Sequence, residues 1–326
     1  MIRRSADLER AHPRPLPLAG GEKMPEFTLK RVALSTGVEL DVADEGPRDA
    51  PVLVFLHGFP ESHRTWRHQI GHFAERFRCI APDQRGYCKS SKPANVADYK
   101  PDTLAADVFA LADALGVDRF TIVGHDWGGA IAWIVALLGQ ANGRVERAVI
   151  ANAPHPYIFQ RLLFDDAEQR AASQYIRAFR DPANDALIAQ HGLIGLLMKA
   201  VKWNRSPAQT DADRAILLRD WQEPGAAIGM LNWYRASSIV VPAIGETPER
   251  PAFLDQPFPK LTLPTLVIWA TDDKALPPCN LDGMADLVPG VTIVPVPGSG
   301  HFVTWEAPEA VNAAMEAFLA DAPTAR

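Results

Sequence analysis

Cysteine is scarce: Cys79, Cys88 and Cys279 are three residues, far apart and odd in number. They exclude a disulfide-framed secreted scaffold and lack the paired spacing of a structural zinc site, so reduced thiols in a cytoplasmic protein are expected. No run approaches the roughly 20 apolar residues of a membrane-spanning helix. Positive charge is not in excess either, because 33 Lys and Arg stand against 39 Asp and Glu, for a formal net charge of -6. With no basic stripe and no polybasic amphipathic segment, neither nucleic acid nor a membrane surface is an expected partner. Internal repeats and internal low-complexity tracts are absent. Residues 1–25 are rich in Arg, Pro and Gly and hold no apolar core of signal-peptide length. They read as a flexible arm on a chain that is not exported.

What is present is a β-α rhythm. Hydrophobic residues make up 47% of the 326 residues, enough for one large α/β domain or a domain with a sizeable insertion. Phe27 to Leu34 and Val38 to Ala43 read as a hairpin turning at Ser35-Thr36-Gly37. Val52 to Leu56 and Cys79 to Ala81 read as strands, the former apolar on both faces. A helix follows, with Thr103 ahead of Leu104, Val108, Leu111 and Leu115, and Gly116 as its stop. Asp102, Asp107 and Asp113 are expected to face solvent on it. Phe120 to Val123, a helix to Leu138, and the strand Arg147 to Asn152 continue the alternation. Together they predict a mostly parallel sheet flanked by helices.

The rhythm breaks after Ala153-Pro154-His155-Pro156. To about Ile239 the sequence reads as helices, with Trp203, Trp221 and Trp233 among them. It resumes with Thr265 to Trp269, a helix around Leu281 to Leu287, Thr292 to Pro295 and a last helix from Pro308. The expected organisation is a core from 26–154 and 245–326, with a helical lid from 155–244.

The segment Gly124-His125-Asp126-Trp127-Gly128-Gly129 joins a strand to a helix through a glycine-pinched turn. That is the context of a nucleophile elbow, with aspartate where serine usually sits. Aspartate is ionised at neutral pH and can displace a leaving group at saturated carbon, giving an alkyl ester. Water can hydrolyse that ester at the aspartate's own carbonyl. Serine alkylated in the same way would form a stable ether.

Such a nucleophile needs a base and a group to orient the base, in the chain order nucleophile, acid, histidine. His301 in Gly298-Ser299-Gly300-His301 follows the strand ending at Pro295, where a loop can aim it at the elbow. Asp272 and Asp273 follow the strand ending at Trp269. Asp273 is the better placed of the two, with Asp272 in reserve. His125 is expected to turn away from the nucleophile into packing or hydrogen bonding. The turn His57-Gly58-Phe59-Pro60 can offer the Phe59 N–H, and Trp127 its own, as an oxyanion hole.

The combination of HGFPES (His57 to Ser62), DQRGY (Asp83 to Tyr87), GHDWGG and GHF (Gly300 to Phe302) resembles the α/β-hydrolase-fold epoxide hydrolases. The resemblance runs from about Glu26 onward. It implies a cofactor-free, metal-free enzyme that opens a small hydrophobic epoxide to a vicinal diol through an aspartyl ester. It also implies two lid tyrosines that hydrogen-bond the epoxide oxygen. Asn232-Trp233-Tyr234-Arg235 points to Tyr234, and Ser173-Gln174-Tyr175 to Tyr175. A phenol there can donate to a poor alkoxide leaving group. The chain departs from the family at Cys88, where glycine is expected, and at Phe302, where tryptophan is common.

Haloalkane and haloacetate dehalogenases share this elbow. A halide cradle would pair Trp127 with an asparagine where Phe59 stands. A haloacetate enzyme would carry arginines where Trp127 and Ala130 stand. A halide also needs no proton to leave, so lid tyrosines would lack a purpose. A non-catalytic ligand-binding protein on this fold is the remaining alternative, and an intact set of catalytic groups argues against it. The sequence leaves a homodimer open, as it does the choice of epoxide.

Overall fold

The computed structural model describes residues 27–202, 206 and 208–320. The expected N-terminal arm and Trp203 lie outside them. Strands β1 (Leu29–Ala33) and β2 (Glu39–Glu45) form the hairpin, followed by β3 (Val52–Leu56), helix α1 (Arg67–Phe73) and β4 (Arg78–Pro82). Next come α2 (Pro101–Ala114), β5 (Phe120–His125), α3 (Asp126–Asn142) and β6 (Val145–Ala151). Six helices then succeed one another: α4 (Pro156–Asp165), α5 (Ala167–Ala172), α6 (Gln174–Arg180), α7 (Asp185–Val201), α8 (Asp211–Trp221) and α9 (Ala226–Ala236). The chain closes with β7 (Thr265–Ala270), α10 (Met284–Leu287), β8 (Thr292–Val296), α11 (Val303–Glu306) and α12 (Pro308–Ala320).

The eight strands form one sheet in the order β1-β2-β4-β3-β5-β6-β7-β8. β2 is antiparallel to β1 and β4, and every other pairing is parallel. Along each inner strand the side chains alternate between two cores, as a period of two requires. Leu53 and Phe55 of β3, with Leu266 and Ile268 of β7, pack on the α1 and α12 side against Ile70, Phe73, Val311 and Met315. Val54, Leu56, Val267 and Trp269 belong to the opposite core with α2, α3 and the inserted helices. This is an α/β hydrolase fold, a mostly parallel sheet flanked by helices and carrying a helical insert between β6 and β7. Hydrogen bonds seat that insert on the core at the carboxyl ends of β3 and β4. The Trp221 indole donates to the Pro60 carbonyl at 2.6 Å, and that of Trp233 to the Arg85 carbonyl at 2.8 Å.

Three local readings are corrected. The helix α2 opens at Pro101 with Lys100 as its N-cap, not at Thr103, because proline fixes the helical φ at a position whose amide would have had no acceptor. The helix expected around Leu281 to Leu287 is a 3₁₀ turn, Pro278–Leu281, and the single-turn α10, separated by Gly283 at φ 82°. Asp107 does not face solvent. It lies on the inner side of α2, where Arg85 donates to both its oxygens at 2.7 Å and the Thr36 hydroxyl donates at 2.6 Å. A buried carboxylate needs such partners. Among the described residues, no helix is long and apolar enough to cross a membrane.

Candidate active site

Between β5 and α3 the backbone turns at one residue, Asp126, which adopts φ 52°. This left-handed conformation costs an L-residue about 1–2 kcal/mol, and the surrounding packing maintains it. A Cβ on Gly128 would overlap the carbonyls of Leu56 and His57, so α3 approaches β3 only because residue 128 has no side chain. A Cβ on Gly58 would overlap Asp126 itself.

The Asp126 carboxylate is held from two sides. Its Oδ1 accepts the Phe59 N–H at 2.6 Å, and its Oδ2 lies 3.4 Å from His301 Nε2. Burial opposes ionisation, but the His301 hydrogen bond and charge outweigh it and hold the Asp126 pKa below the usual carboxylate value. Trp127 follows in the first turn of α3, where backbone N–H groups lack intrahelical acceptors.

Behind His301 stands Asp273. His301 Nδ1 donates to Asp273 Oδ2 at 2.7 Å, which leaves Nε2 turned to Asp126. Asp273 Oδ1 accepts the amides of Ala275 and Leu276 at 2.8 and 3.0 Å, and Oδ2 accepts Asn152 Nδ2 at 2.9 Å. Burial again works against the charge, and His301 followed by these donors lowers the Asp273 pKa. For His301 burial favours the neutral ring, yet the two flanking carboxylates raise its pKa well above the ordinary histidine value. Asp272 is exposed, its Oδ1 taken by the Thr271 hydroxyl at 3.0 Å, and it does not face the imidazole.

The peptide groups around His301 are tied as well. Glu306 accepts the Gly300 N–H at 2.7 Å, and His125 Nε2 donates to the His301 carbonyl at 2.7 Å. His125 therefore turns away from Asp126, and its burial drives the ring's pKa down to about 4, keeping it neutral. Beside this loop, Glu61 accepts the Trp305 indole N–H at 2.8 Å and the Thr65 hydroxyl, and burial raises its pKa to about 7.

A cavity of about 990 Å³ opens above Asp126, lined by Asp126 and His301 from the core and by Tyr175, Phe179 and Tyr234 from the inserted helices. Of the five tyrosines, Tyr99 and Tyr157 donate to the carbonyls of Pro93 and Leu254, and Tyr87 is buried away from the cavity. That leaves Tyr175 and Tyr234. Their rings lie 6.2 Å apart, each packed on Phe179. The Tyr234 ring stands edge-on to Trp127 and Phe59 at 5.1 Å. Burial, then the neighbouring Asp126 charge, raises the Tyr175 pKa. For Tyr234, burial, then Tyr175 and then Asp126 do the same. Both phenols therefore keep their protons. Among the described residues, no group of three or more His, Cys, Asp and Glu is arranged to hold a metal ion.

The residues missed by sequence reasoning are those acting through others: Asn152, Glu306 and Glu61. Asn152 sits at the carboxyl end of β6 with φ 39°, and an Asn there, tolerant of left-handed backbone, was the available signal. Cys88 also has positive φ, 44°, which accounts for the glycine expected at that position.

The model of the alpha/beta hydrolase fold family matches residues 51–308. Epoxide hydrolase 2 of Caenorhabditis elegans is 30% identical over 86% of this chain and 77% of its own length. Epoxide hydrolase A of Mycobacterium tuberculosis is 30% identical over 89% of this chain and 97% of its own. Among solved structures, one described as a novel epoxide hydrolase of the alpha/beta hydrolases superfamily, from metagenomes of hot environments, is 65% identical. It superposes with a TM-score of 0.84, covering 91% of this chain and all of that one.

Proposed function

This chain belongs to the epoxide hydrolases of the α/β hydrolase fold, and on that premise we propose that it turns an epoxide into a vicinal diol through an ester on Asp126. The observation that carries this reading is a pair of protonated tyrosines, Tyr234 buried and Tyr175 partly buried, lining the same cavity as an ionised aspartate.

The epoxide oxygen accepts hydrogen bonds from Tyr175 and Tyr234, while Asp126 attacks one ring carbon from the opposite side. Asp126 Oδ1 is occupied by the Phe59 N–H, so Oδ2 is the attacking atom and Oδ1 becomes the ester carbonyl oxygen. As the C–O bond breaks, the developing alkoxide takes a phenolic proton; general-acid help of this kind contributes about 10²–10⁴-fold.

Esterification then changes the electrostatics around His301. Two carboxylates raise its pKa in the free enzyme, and esterification neutralises one of them. The imidazole consequently loses its proton more readily and becomes a base when a base is needed. It activates water to attack the Asp126 carbonyl, Asp273 holding the ring's tautomer and orientation. The negative charge that forms on Oδ1 points at the Phe59 N–H, with the Trp127 N–H as second donor. On collapse the departing diol oxygen takes the proton of the hydroxyl that attacked Asp126, which releases the diol and restores the carboxylate; His301 keeps the proton it took from water, and the proton it shed after esterification returns to the phenolate.

One turnover in ¹⁸O-labelled water, with enzyme in excess over a styrene-type epoxide, tests the reading. The first diol is expected to carry unlabelled oxygen from Asp126, the label appearing in the protein. Label in that first diol would overturn the ester mechanism.

A further inference from the structure

The two tyrosines sit on different helices, Tyr175 on α6 and Tyr234 on α9, and ring opening under the reading above needs both hydroxyls on one oxygen atom. We propose that Arg180 is a positioning residue for ring opening, joining the two tyrosines by capping, from the helix that carries Tyr175, the backbone carbonyl of Tyr234. The proposal rests on the tyrosine roles given above.

The chain itself creates the need for such a cap. α9 ends at Ala236, so its last carbonyls have no intrahelical donor, and the Tyr234 carbonyl is among them. Arg180 Nε donates to that carbonyl at 2.8 Å. Its Nη2 donates to the Ser237 hydroxyl at 2.6 Å and the Ser237 carbonyl at 3.2 Å, and its Nη1 to the Ile239 carbonyl at 2.6 Å. One guanidinium thus binds residues 234, 237 and 239 at once, and its planar fork fixes direction as well as distance. The positive charge also meets the negative end of the α9 dipole.

Arg180 is the last residue of α6, five positions after Tyr175. Phe179, beside it, packs against both tyrosine rings, with centroids 5.3 Å from Tyr175 and 5.0 Å from Tyr234. The ring fills the gap between the helices, and the guanidinium fixes how far α9 can slide along α6. Ring packing alone tolerates such sliding, since dispersion contacts are weakly directional. Hydrogen-bond donation to a developing alkoxide does not, and a misplacement of about 1 Å can cost about 10²-fold in rate. Arg177, on the same helix, provides the contrast. Its Nη1 donates to the Val241 carbonyl at 2.8 Å, beyond α9, and leaves the Tyr234 backbone untouched.

Rapid mixing of enzyme with a styrene-type epoxide, followed by quenching and intact-mass analysis, separates formation of the alkyl-enzyme from its hydrolysis. In Arg180→Gln, formation is expected to slow about tenfold or more, with hydrolysis of the ester unchanged. Arg180→Lys, which keeps the charge and one donor, should recover part of the loss. Arg177→Gln should leave both steps at the wild-type rate. In a Tyr234→Phe background, Arg180→Gln should have a much smaller effect on formation than in the wild type, because the group it positions is gone. Equal slowing of both steps, unchanged formation, or an undiminished effect in the Tyr234→Phe background would each overturn the proposal and leave Arg180 a brace of the helical insert. If Arg180→Gln does not fold, Arg180→Lys and the Arg177→Gln control decide the matter by the same comparison. A wild-type enzyme that forms no alkyl-enzyme refutes the ester mechanism itself, whereas wild-type ester with Arg180-independent formation refutes only the part given to Arg180.

Discussion

The two halves of the active site are built from different forces. The sheet half is a chain of charge-assisted hydrogen bonds and one ion-pair contact, from Phe59 through Asp126, His301 and Asp273 to Asn152, with each member placed past the end of a strand. The half contributed by the inserted helices is neutral. Two phenols are held by aromatic edges and by a guanidinium that grips backbone. Buried charges demand partners on every side, which fixes the sheet half tightly and couples its pKa values. Buried hydroxyls need only placement, so the other half depends on how its helices pack. The comparison predicts a division of labour: the sheet half governs attack and ester hydrolysis, and the helical half governs departure of the epoxide oxygen.

The largest expected effect comes from removing the base. His301→Gln should reduce diol turnover about 10³–10⁴-fold while alkyl-enzyme accumulates, seen as an intact-mass increase equal to the substrate. The same variant changes the pH dependence of ester formation. His301 lowers the Asp126 pKa, so in the wild type the nucleophile remains ionised to below the usual carboxylate range. Without the imidazole the main opposition to burial is gone and only weaker support such as the Phe59 N–H remains, so the Asp126 pKa rises and the acidic limb of ester formation moves to higher pH. A limb at the same pH, or failure to accumulate ester, would break the assignment of His301 to the sheet half's second step.

Next in size is Tyr234→Phe, expected to slow ester formation about 10²-fold and leave ester hydrolysis unchanged. The signal can be the fluorescence of Trp127, whose ring meets Tyr234 edge-on. If hydrolysis slowed equally, the division between halves would fail.

The smallest is Asn152→Ala. Asp273 loses one donor and the Ala270 N–H loses its acceptor at 2.7 Å, for about 1–3 kcal/mol of stability in denaturant unfolding. Hydrolysis of the ester should fall about tenfold, through Asp273, with formation little changed. The reverse order of effects would place Asn152 with the helical half.

Legibility in the sequence followed the same split. Short, continuously apolar runs announced the inner strands because both faces of the sheet are buried, and the elbow announced itself through glycines that only close backbone approach requires. Strand ends also carried Asp126, Asp273 and His301 to predictable places. Between Asp272 and Asp273 the period of a strand could not choose, since both lie past its end; the backbone turn that sends one inward and the other to solvent decided it. Asp107 misled because its helical position looks outward-facing until Arg85, 22 residues earlier, is seen against it. The helix expected around Leu281 to Leu287 is broken at Gly283, a stop that apolar spacing does not register.

The sequence by itself determined the parts governed by local rules: the mostly parallel α/β sheet, the strained turn that presents Asp126, and the placing of Asp126, Asp273 and His301 at strand ends. Strand periodicity, glycine geometry and ionisation at neutral pH act over a few residues and can be read along the chain. Only the tertiary structure decided which tyrosines share the Asp126 cavity, that Asn152 holds Asp273, and that Arg180 joins α6 to α9. Those relations hold between residues dozens to more than a hundred positions apart, and packing and buried electrostatics, not local propensity, bring them together.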